Sequence, residues 1–346
     1  MIEQLVRKNI LNLKPYQSAR ISFSKGILLD ANENSFGSVV ENNLSLNRYP
    51  DPLQSSLRDK LSKILNLNAD NLFLGVGSDE IIDLLIRIFC TPGKDSVIIT
   101  EPTYGMYRVA CNINDVNILT VPLNNRFQID VKKTLSKVTS NTKLIFLCSP
   151  NNPTGNLLNK KSIQTLLKKF NGIIVVDEAY IDFSEENSLI HEVKNYENLV
   201  IIRTFSKAWG LAGIRAGYAV ANDLIIKLLF KIKAPYNLNK LTSQMIMEAL
   251  DNISRKKQLV KKLNTEKTKL SLELRKLRGV QKVFNSDANF ILFRVKNAKQ
   301  VYKKLSSEGI IIRDRSSQLN LYNCLRVTVG TLEENKLFIS KLKEIL

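Results

Sequence analysis

The sequence contains a single histidine, His191, among its 346 residues. A single histidine makes both a Ser-His-Asp triad and a histidine-based metal site improbable. Its four cysteines include no CxxC pair and lie far apart, at Cys90, Cys111, Cys148 and Cys324. That spacing argues against a zinc site and a disulfide framework, and it fits a reducing compartment. We therefore expect no metal site.

A long uncharged hydrophobic run is also missing. Glu3 and Arg7 interrupt the N-terminal segment, which argues against the apolar region of a secretory signal. The most apolar window, residues 81–90, is short and carries Asp83 and Arg87, which excludes a membrane span there. These features predict a cytoplasmic protein with no membrane partner.

Acidic residues are few relative to basic ones. The chain has 51 Lys and Arg against 32 Asp and Glu, a formal net charge of +19. Such an excess raises nucleic-acid binding as a rival function. The basic residues are scattered in pairs at amphipathic helix spacing, however, as at Lys160-Lys161 and Lys168-Lys169. Pairs of this kind are typical of solvated helix faces, and no RRM signature, zinc finger or basic arm occurs. We expect no nucleic-acid partner.

The order of apolar segments predicts the fold. A chain of 346 residues is long enough for one large domain and a smaller one. From residue 71 onwards, short apolar runs alternate with amphipathic helical segments, which indicates an α/β domain with a mostly parallel sheet covered by helices on both faces. The predicted strands are 71–76, 96–100, 117–121, 143–148, 172–176, 199–203 and 216–221, with a further short strand at 27–30.

The pattern changes after Asn222. Long helical stretches, the second at about 241–277, lead to predicted strands at 289–295, 310–313 and 325–329 and to a C-terminal helix from Leu332. This order of helices and strands predicts a smaller α+β domain. We place the large domain at residues 30–250, and the N-terminal arm and small domain at residues 1–29 and 251–346.

One segment of the chain combines an amine, two hydroxyls and a guanidinium. It consists of Thr204-Phe205-Ser206-Lys207 and of Arg215 in the loop that follows, which contains several glycines. The amine of Lys207 can form an imine with an aldehyde, while the hydroxyls and the guanidinium can bind phosphate oxygens. Pyridoxal phosphate carries both groups. The alternative is a solvated lysine in a loop at the end of a strand, so partners elsewhere in the chain must decide.

Four further strand ends carry polar or aromatic residues that suit this cofactor, and ligands of open α/β sheets bind beyond the carboxyl ends of strands. Asp177 ends an apolar strand and can hold a proton on a pyridine nitrogen, with a salt bridge to another segment as the alternative. Tyr180 can contact the phenolic oxygen of the ring. Asn152 lies in a loop with two prolines, and Tyr104 can stack on a ring; a rigid turn and a core tyrosine are the alternatives.

The fourth strand end, Gly75 to Glu80, leads from a strand into a helix and suggests a phosphate at the helix N-terminus. The GxGxxG fingerprint of nicotinamide-binding proteins fails, because Glu80 stands where its third glycine should be. A plain turn between strand and helix is the alternative.

Taken together, these motifs resemble a known family. Asn151 to Gly155, Asp177 to Tyr180 and Thr204 to Lys207 are similar to the fold-type I pyridoxal-phosphate aminotransferases. Within that family, four more segments resemble the histidinol-phosphate aminotransferases. These are residues 15–20, 48–51, 102–107 and 324–331. One departure is Ser35, where members often have proline in the stretch that begins Asn32-Glu33.

The resemblance implies a role for each matching residue. Lys207 would carry the cofactor, Asp177 would pair with its pyridine nitrogen, and Tyr180 and Asn152 would contact its ring oxygen, with Tyr104 stacked on the ring. The cofactor phosphate would be bound by Gly77, Ser78, Asp79, Thr204, Ser206 and Arg215, and by Tyr49 from the second subunit of a homodimer. The substrate would be bound by Tyr16, Arg313 and Arg326.

The resemblance also implies a reaction, which is transfer of an amino group from L-histidinol phosphate to 2-oxoglutarate. The products would be imidazole acetol phosphate and L-glutamate, in histidine biosynthesis. Two rivals share the scaffold: an aromatic-amino-acid aminotransferase and a threonine-phosphate decarboxylase. The sequence leaves these open, because the pocket for the substrate ring has no sharp motif.

Overall fold

A computed structural model describes residues 2–22, 26–40 and 44–346 of the chain. Within them, a seven-stranded sheet lies at the centre of the larger part of the molecule, with strand order β1-β7-β6-β5-β4-β2-β3. All neighbouring strands are parallel except the two pairs that involve β7. The strands are β1 (Leu72–Gly75), β2 (Ser96–Glu101), β3 (Asn117–Pro122), β4 (Thr142–Cys148), β5 (Ile173–Asp177), β6 (Leu199–Thr204) and β7 (Gly217–Ala221).

The central strands are apolar throughout because both faces of the sheet are covered. On β5, Ile174 and Val176 belong to one hydrophobic cluster, whereas Ile173 and Val175 belong to the cluster on the opposite face. Each such residue is fully buried, and burying a side chain of this size contributes about 1.5–3 kcal/mol. A continuous apolar run is the pattern of a strand in a parallel sheet covered on both faces.

Helices cover the sheet and form much of the second domain. Asparagine side chains cap several of them, as Asn159 does by accepting a hydrogen bond from the backbone N–H of Ser162 at the start of α8. The helices are α1 (Ile2–Leu5), α2 (Lys8–Leu11), α3 (Ala19–Ser22), α4 (Ser55–Leu65), α5 (Gly77–Phe89), α6 (Met106–Ile113), α7 (Val131–Ser136), α8 (Lys160–Lys169), α9 (Asp223–Ile232), α10 (Lys240–Asp251), α11 (Ile253–Lys276), α12 (Ala298–Ser307) and α13 (Leu332–Ile345).

A smaller antiparallel sheet follows in the chain, with strand order β10-β11-β9-β8. One face of it, which includes Phe293 and Leu325, packs with residues of α11, α12 and α13. The other face, which includes Leu292 and Cys324, packs into a cluster shared with the large sheet. The strands are β8 (Val280–Val283), β9 (Phe290–Val295), β10 (Arg313–Asp314) and β11 (Cys324–Thr328).

The predicted fold class is confirmed: a large, mostly parallel sheet covered by helices, with a smaller α+β unit. The domain limits at residues 30 and 250 stay a prediction. The two sheets span residues 72–221 and 280–328.

Two predicted strands are wrong. Residues 27–30 form no strand. Ile27 and Leu29 are 92% and 78% exposed, so this segment has no buried sheet face to join. The strand expected at 310–313 is limited to β10, which begins at Arg313. Apolar composition alone suggested these strands, but a strand also needs a neighbour to accept its backbone hydrogen bonds.

Candidate active site

Loops at one edge of the large sheet surround a pocket beyond the carboxyl ends of β4, β5 and β6. Wider cavities lie elsewhere, such as one lined by Tyr16 and Phe230. We assign the chemistry to the smaller pocket, because an amine and a buried carboxylate line it together. Its lining residues are Ser78, Asp79, Tyr104, Cys148, Asn152, Asp177, Ala179, Tyr180, Thr204, Ser206, Lys207, Ala212 and Arg215.

Asp177 supplies a buried carboxylate at the end of β5. It accepts hydrogen bonds from the hydroxyl of Tyr107 at 2.7 Å and from the backbone N–H of Ala179 at 3.0 Å. Burial raises the pKa of Asp177 to about 6, and the hydrogen bond from Tyr107 opposes that rise. Among the described residues, no cationic group forms an ion pair with Asp177. The salt bridge that the sequence left open is therefore not formed within this part of the chain.

Lys207 lies at the mouth of the pocket, in the loop after β6. Its Nζ is 5.7 Å from the centre of the Tyr180 ring. Burial lowers the pKa of Lys207, and the cations Arg326 and Arg215 lower it further. Because Lys207 is still exposed in this single chain, water screens part of that effect. The direction favours a neutral amine, which is the nucleophilic form.

The start of α5 forms the other end of the pocket. Gly77 has φ of +71°, a conformation that favours glycine, and a Cβ there would lie 3.0 Å from Nη2 of Arg215. A Cβ at Gly217 would lie 2.7 Å from the backbone N of Ser78. These glycines let the two loops approach each other, so that the first amides of α5 lie close to the Arg215 guanidinium.

Asp79 connects two other side chains of the pocket. It accepts a hydrogen bond from the Tyr104 hydroxyl at 3.1 Å and one from Nη2 of Arg215 at 3.4 Å. Arg215 also reaches Ser206 Oγ at 3.5 Å. Asp79 thus holds an aromatic ring and a guanidinium in place, one on each of its oxygens.

The Thr204 hydroxyl is engaged within its own loop. It donates to the carbonyl of Ala216 at 3.2 Å and accepts from the backbone N–H of Ser206 at 3.0 Å. A buried ion pair on the neighbouring positions, Arg203 to Glu178 at 2.9 Å, ties the end of β6 to the end of β5. Lys207 and Asp177 are therefore carried by two strand ends that are joined side by side.

Asn152 links the pocket to the smaller domain. Its amide nitrogen lies 3.4 Å from the Tyr180 hydroxyl, and its amide oxygen accepts a hydrogen bond from Arg326. Arg326 comes from β11 and lies 5.0 Å from the centre of the Phe290 ring. Burial lowers the pKa of Arg326 to about 10, and the positive charge of Arg315 adds to that effect. A guanidinium of the small domain therefore faces the pocket across from Lys207.

The residues of the pocket fit pyridoxal phosphate. Asp177 is a buried carboxylate with no cationic partner among the described residues, which suits a protonated pyridine nitrogen. The glycine-spaced amides at the start of α5, together with Ser206 and Arg215, suit a phosphate. Lys207 suits an aldehyde.

Five of the predicted site residues do not line this pocket in the single chain. Gly77 and Arg326 lie next to lining residues, as described above, and the other three lie further away. Tyr16 is 74% exposed and lines a different cavity. Tyr49 stacks on Tyr236, with ring centroids 4.4 Å apart, and is half exposed. Arg313 is exposed on β10, directly opposite Arg326.

Sequence reasoning missed two residues of this region. Tyr107 was noted only as part of a motif, yet its hydroxyl contacts Asp177. Arg315, two residues after Arg313, lies close enough to Tyr180 and Arg326 for its charge to affect the pKa of both. The spacing of two residues between Arg313 and Arg315, which lies just beyond the end of β10, was the signal that could have revealed Arg315.

Comparisons with known proteins bear on this pocket. Residues 21–342 match the family of class I and II aminotransferases. The chain is similar to a histidinol-phosphate aminotransferase of Cytophaga hutchinsonii, with 48% identity over 344 residues, which are 99% of this chain and 98% of that protein.

Solved structures agree with that likeness. The histidinol-phosphate aminotransferase from Clostridium acetobutylicum is similar with a TM-score of 0.80 and 28% identity, over 87% of this chain and 91% of that one. The histidinol-phosphate aminotransferase from Sinorhizobium meliloti, solved in complex with pyridoxal-5'-phosphate, shares the fold with a TM-score of 0.80 and 22% identity, over 91% of this chain and 89% of that one.

Proposed function

We propose that this chain, which belongs to the class I and II aminotransferase family, is a histidinol-phosphate aminotransferase of histidine biosynthesis. It transfers the amino group of L-histidinol phosphate to 2-oxoglutarate and forms imidazole acetol phosphate and L-glutamate. The observation that carries this proposal is the near-full-length likeness to relatives of that name, such as the 48% identical protein of Cytophaga hutchinsonii. The pocket geometry supports it, because an amine, a buried carboxylate and a guanidinium line one crevice.

The cofactor is pyridoxal 5'-phosphate. Asp177 would pair with its pyridine nitrogen, Asn152 and Tyr180 would contact its ring oxygen, and Tyr104 would stack on its ring. When bound, the cofactor supplies an aldehyde for the substrate amine and a protonated ring that acts as an electron sink. Its phosphate would be bound by Gly77, Ser78, Ser206 and Arg215. Thr204 shapes the loop, and Asp79 orients Arg215.

Lys207 is the acid and base of the reaction. Its Nζ takes a proton from the substrate Cα and later returns one, a role that needs the amine to be neutral for part of the cycle. Burial and the cations Arg326 and Arg215 lower its pKa, which supports that role. Tyr107 and the Ala179 amide donate hydrogen bonds to Asp177, which favour the ionised carboxylate that a protonated pyridine nitrogen would need. Arg326 binds the anionic end of the substrate from across the pocket.

We also propose a cytoplasmic homodimer with shared active sites. Tyr49 lies outside the pocket of its own chain, so its role at the cofactor phosphate would need a second copy. All four cysteines are buried and unpaired, which suits a reducing compartment. None of the helices among the described residues is long and apolar enough to cross a membrane.

A product assay tests the substrate assignment. The purified protein, loaded with pyridoxal 5'-phosphate, is incubated with 2-oxoglutarate and one amino donor at a time. Ketone formation from histidinol phosphate, well above that from phenylalanine, supports the proposal. A preference for phenylalanine would indicate an aromatic-amino-acid aminotransferase. Carbon dioxide release from phosphothreonine would indicate a decarboxylase, and either outcome would overturn it.

A further inference from the structure

Three arginines share one face of the small sheet. Arg313 on β10 lies directly opposite Arg326 on β11. The backbone N–H of Arg315 donates to the carbonyl of Cys324 at 2.9 Å, which continues that pairing. Arg315 lies one residue beyond β10, and this hydrogen bond extends the alternation of the strand to it. Arg313 and Arg315 therefore lie on the same face as Arg326, and Asp314 lies on the other.

That face is turned towards the large domain. Leu292, which lies opposite Arg326, and Cys324 both belong to the hydrophobic cluster of the large sheet. Leu325, one residue from each of Cys324 and Arg326, belongs instead to the cluster under the helices of the small domain. The arginine face therefore looks across to Asn152, with which Arg326 forms its hydrogen bond.

The three guanidinium groups have no carboxylate partner within residues 2–22, 26–40 and 44–346. No ion pair of the described residues includes Arg313, Arg315 or Arg326. Asp314, which lies between Arg313 and Arg315 in the sequence, accepts hydrogen bonds from the backbone N–H and the hydroxyl of Ser316. The Nε atoms of Arg315 and Arg326 are buried without a hydrogen-bond partner.

Such an arrangement is unfavourable unless an anion completes it. Burial lowers the pKa of Arg315, and the neighbouring charge of Arg313 lowers it further. A half-buried cation beside two others carries both a desolvation cost and repulsion. Arginines kept in this state at the edge of a substrate pocket mark a site for a group with more than one negative charge.

We propose that Arg315 is a third guanidinium of the substrate site, which binds the phosphate group of the amino donor and sets the preference for it over carboxylate substrates. The inference rests on the proposed function. A phosphate monoester carries nearly two negative charges at neutral pH and three terminal oxygens, whereas a carboxylate carries one charge and two oxygens. The guanidinium of Arg315 thus contributes to the binding of phosphorylated donors and contributes little to the binding of 2-oxoglutarate or glutamate.

The test compares Arg315→Gln and Arg315→Lys with the unaltered holoenzyme. We expect Arg315→Gln to raise KM for histidinol phosphate roughly ten- to a hundredfold, as the loss of a charge-assisted hydrogen bond implies, with kcat little changed. Its KM for glutamate should stay within about twofold of the unaltered value. Inorganic phosphate should bind to the unaltered enzyme at this site in calorimetry, and it should bind more weakly by a similar factor to Arg315→Gln. Arg315→Lys should recover part of the loss, because lysine restores the positive charge but cannot bind two phosphate oxygens at once as a planar guanidinium does.

Arg294→Gln is the matched control. Arg294 lies on β9, opposite Cys324 on the same face, and its Nε is also buried without a partner. Its guanidinium instead reaches the carbonyl of Asn320 at 3.4 Å and the ring of Phe284 at 5.8 Å. This variant should bind inorganic phosphate as the unaltered enzyme does.

Two results would overturn the inference: an unchanged KM for histidinol phosphate in Arg315→Gln, or equal losses for histidinol phosphate and glutamate. The melting temperature and cofactor absorbance of each variant separate a binding defect from unfolding. A failure of the proposed function itself would appear in the unaltered enzyme, which would then form no ketone from histidinol phosphate.

Discussion

The buried hydroxyl of Tyr107 donates a hydrogen bond of 2.7 Å to the carboxylate of Asp177, 70 residues further along the chain. Tyr107 is fully buried and stacks on Phe146, with ring centroids 4.9 Å apart, so its hydroxyl has a fixed direction. The bond favours the ionised form of Asp177, against the effect of burial. The charge of the carboxylate therefore depends on a residue that does not line the pocket.

Tyr107→Phe should weaken cofactor binding. Removing the hydroxyl raises the pKa of Asp177, because the ionised carboxylate loses a donor, and we expect a loss of about 1.5–3 kcal/mol in cofactor affinity. Titration of the apoprotein with pyridoxal 5'-phosphate, followed by absorbance, measures it. Tyr302→Phe, in the small domain, serves as the control. Equal affinities in both variants would show that the bond has no such role.

Asp177→Asn should stabilise the apoprotein at neutral pH. Burial raises the pKa of Asp177 from 3.8 to about 6, so the folded state binds a proton more readily than the unfolded state between these values. Its contribution is fully present below about pH 4, is lost as pH rises through about 6, and amounts to about 3 kcal/mol. Asparagine removes that dependence. Urea unfolding of both apoproteins at about pH 5 and pH 7.5 tests this; a less stable variant at the higher pH would contradict it.

Lys207 should carry the cofactor covalently. Borohydride reduction of the holoenzyme followed by peptide mass analysis should place a pyridoxyl group on Lys207, because its amine lines the pocket and its pKa is lowered. Lys256, which is buried in an ion pair of 2.7 Å with Asp182, is an internal control and should stay unlabelled. Lys207→Ala should abolish turnover and leave the melting curve of the apoprotein unchanged. A pyridoxyl group on another lysine would refute the assignment.

Tyr49 should act in the pocket of the partner subunit. Mixing inactive Lys207→Ala chains with Tyr49→Phe chains should produce heterodimers in which one site bears both changes and the other bears neither. The mixture should then regain turnover and tight cofactor binding. If Tyr49 served its own chain, no unaltered site could form and neither property would return.

Arg326→Gln should weaken both half-reactions, whereas Arg313→Gln should mainly affect the phosphorylated donor. Arg326 contacts Asn152 inside the site, and Arg313 lies exposed beside it. Losing one charge-assisted contact costs about 1.5–3 kcal/mol, or roughly ten- to two-hundredfold in kcat/KM. Steady-state rates with histidinol phosphate and with glutamate provide the measurement, and cofactor absorbance should not change. Unaltered kcat/KM for histidinol phosphate in both variants would place phosphate binding elsewhere.

The sequence by itself determined the sheet and the chemistry of its edge. Apolar runs such as 173–176 define strands buried on both faces, and the residue after each run must lie at a strand end. Asp177, Asn152 and Lys207 could therefore be placed in one crevice before any distance was known. Local patterns are enough to place these residues, because the apolar run shows where each strand ends, and in a parallel sheet the carboxyl ends of the strands lie at the same edge.

The tertiary structure decided the contacts between those residues and their surroundings. The bond from Tyr107 to Asp177 joins α6 to β5, and the grouping of Arg313, Arg315 and Arg326 depends on the register of β10 against β11. No local pattern encodes either, because a shift of one residue in register turns a side chain to the opposite face. The segment 27–30, which begins with three apolar residues, also looked like a strand, but only a neighbouring strand with free backbone groups could have made it one.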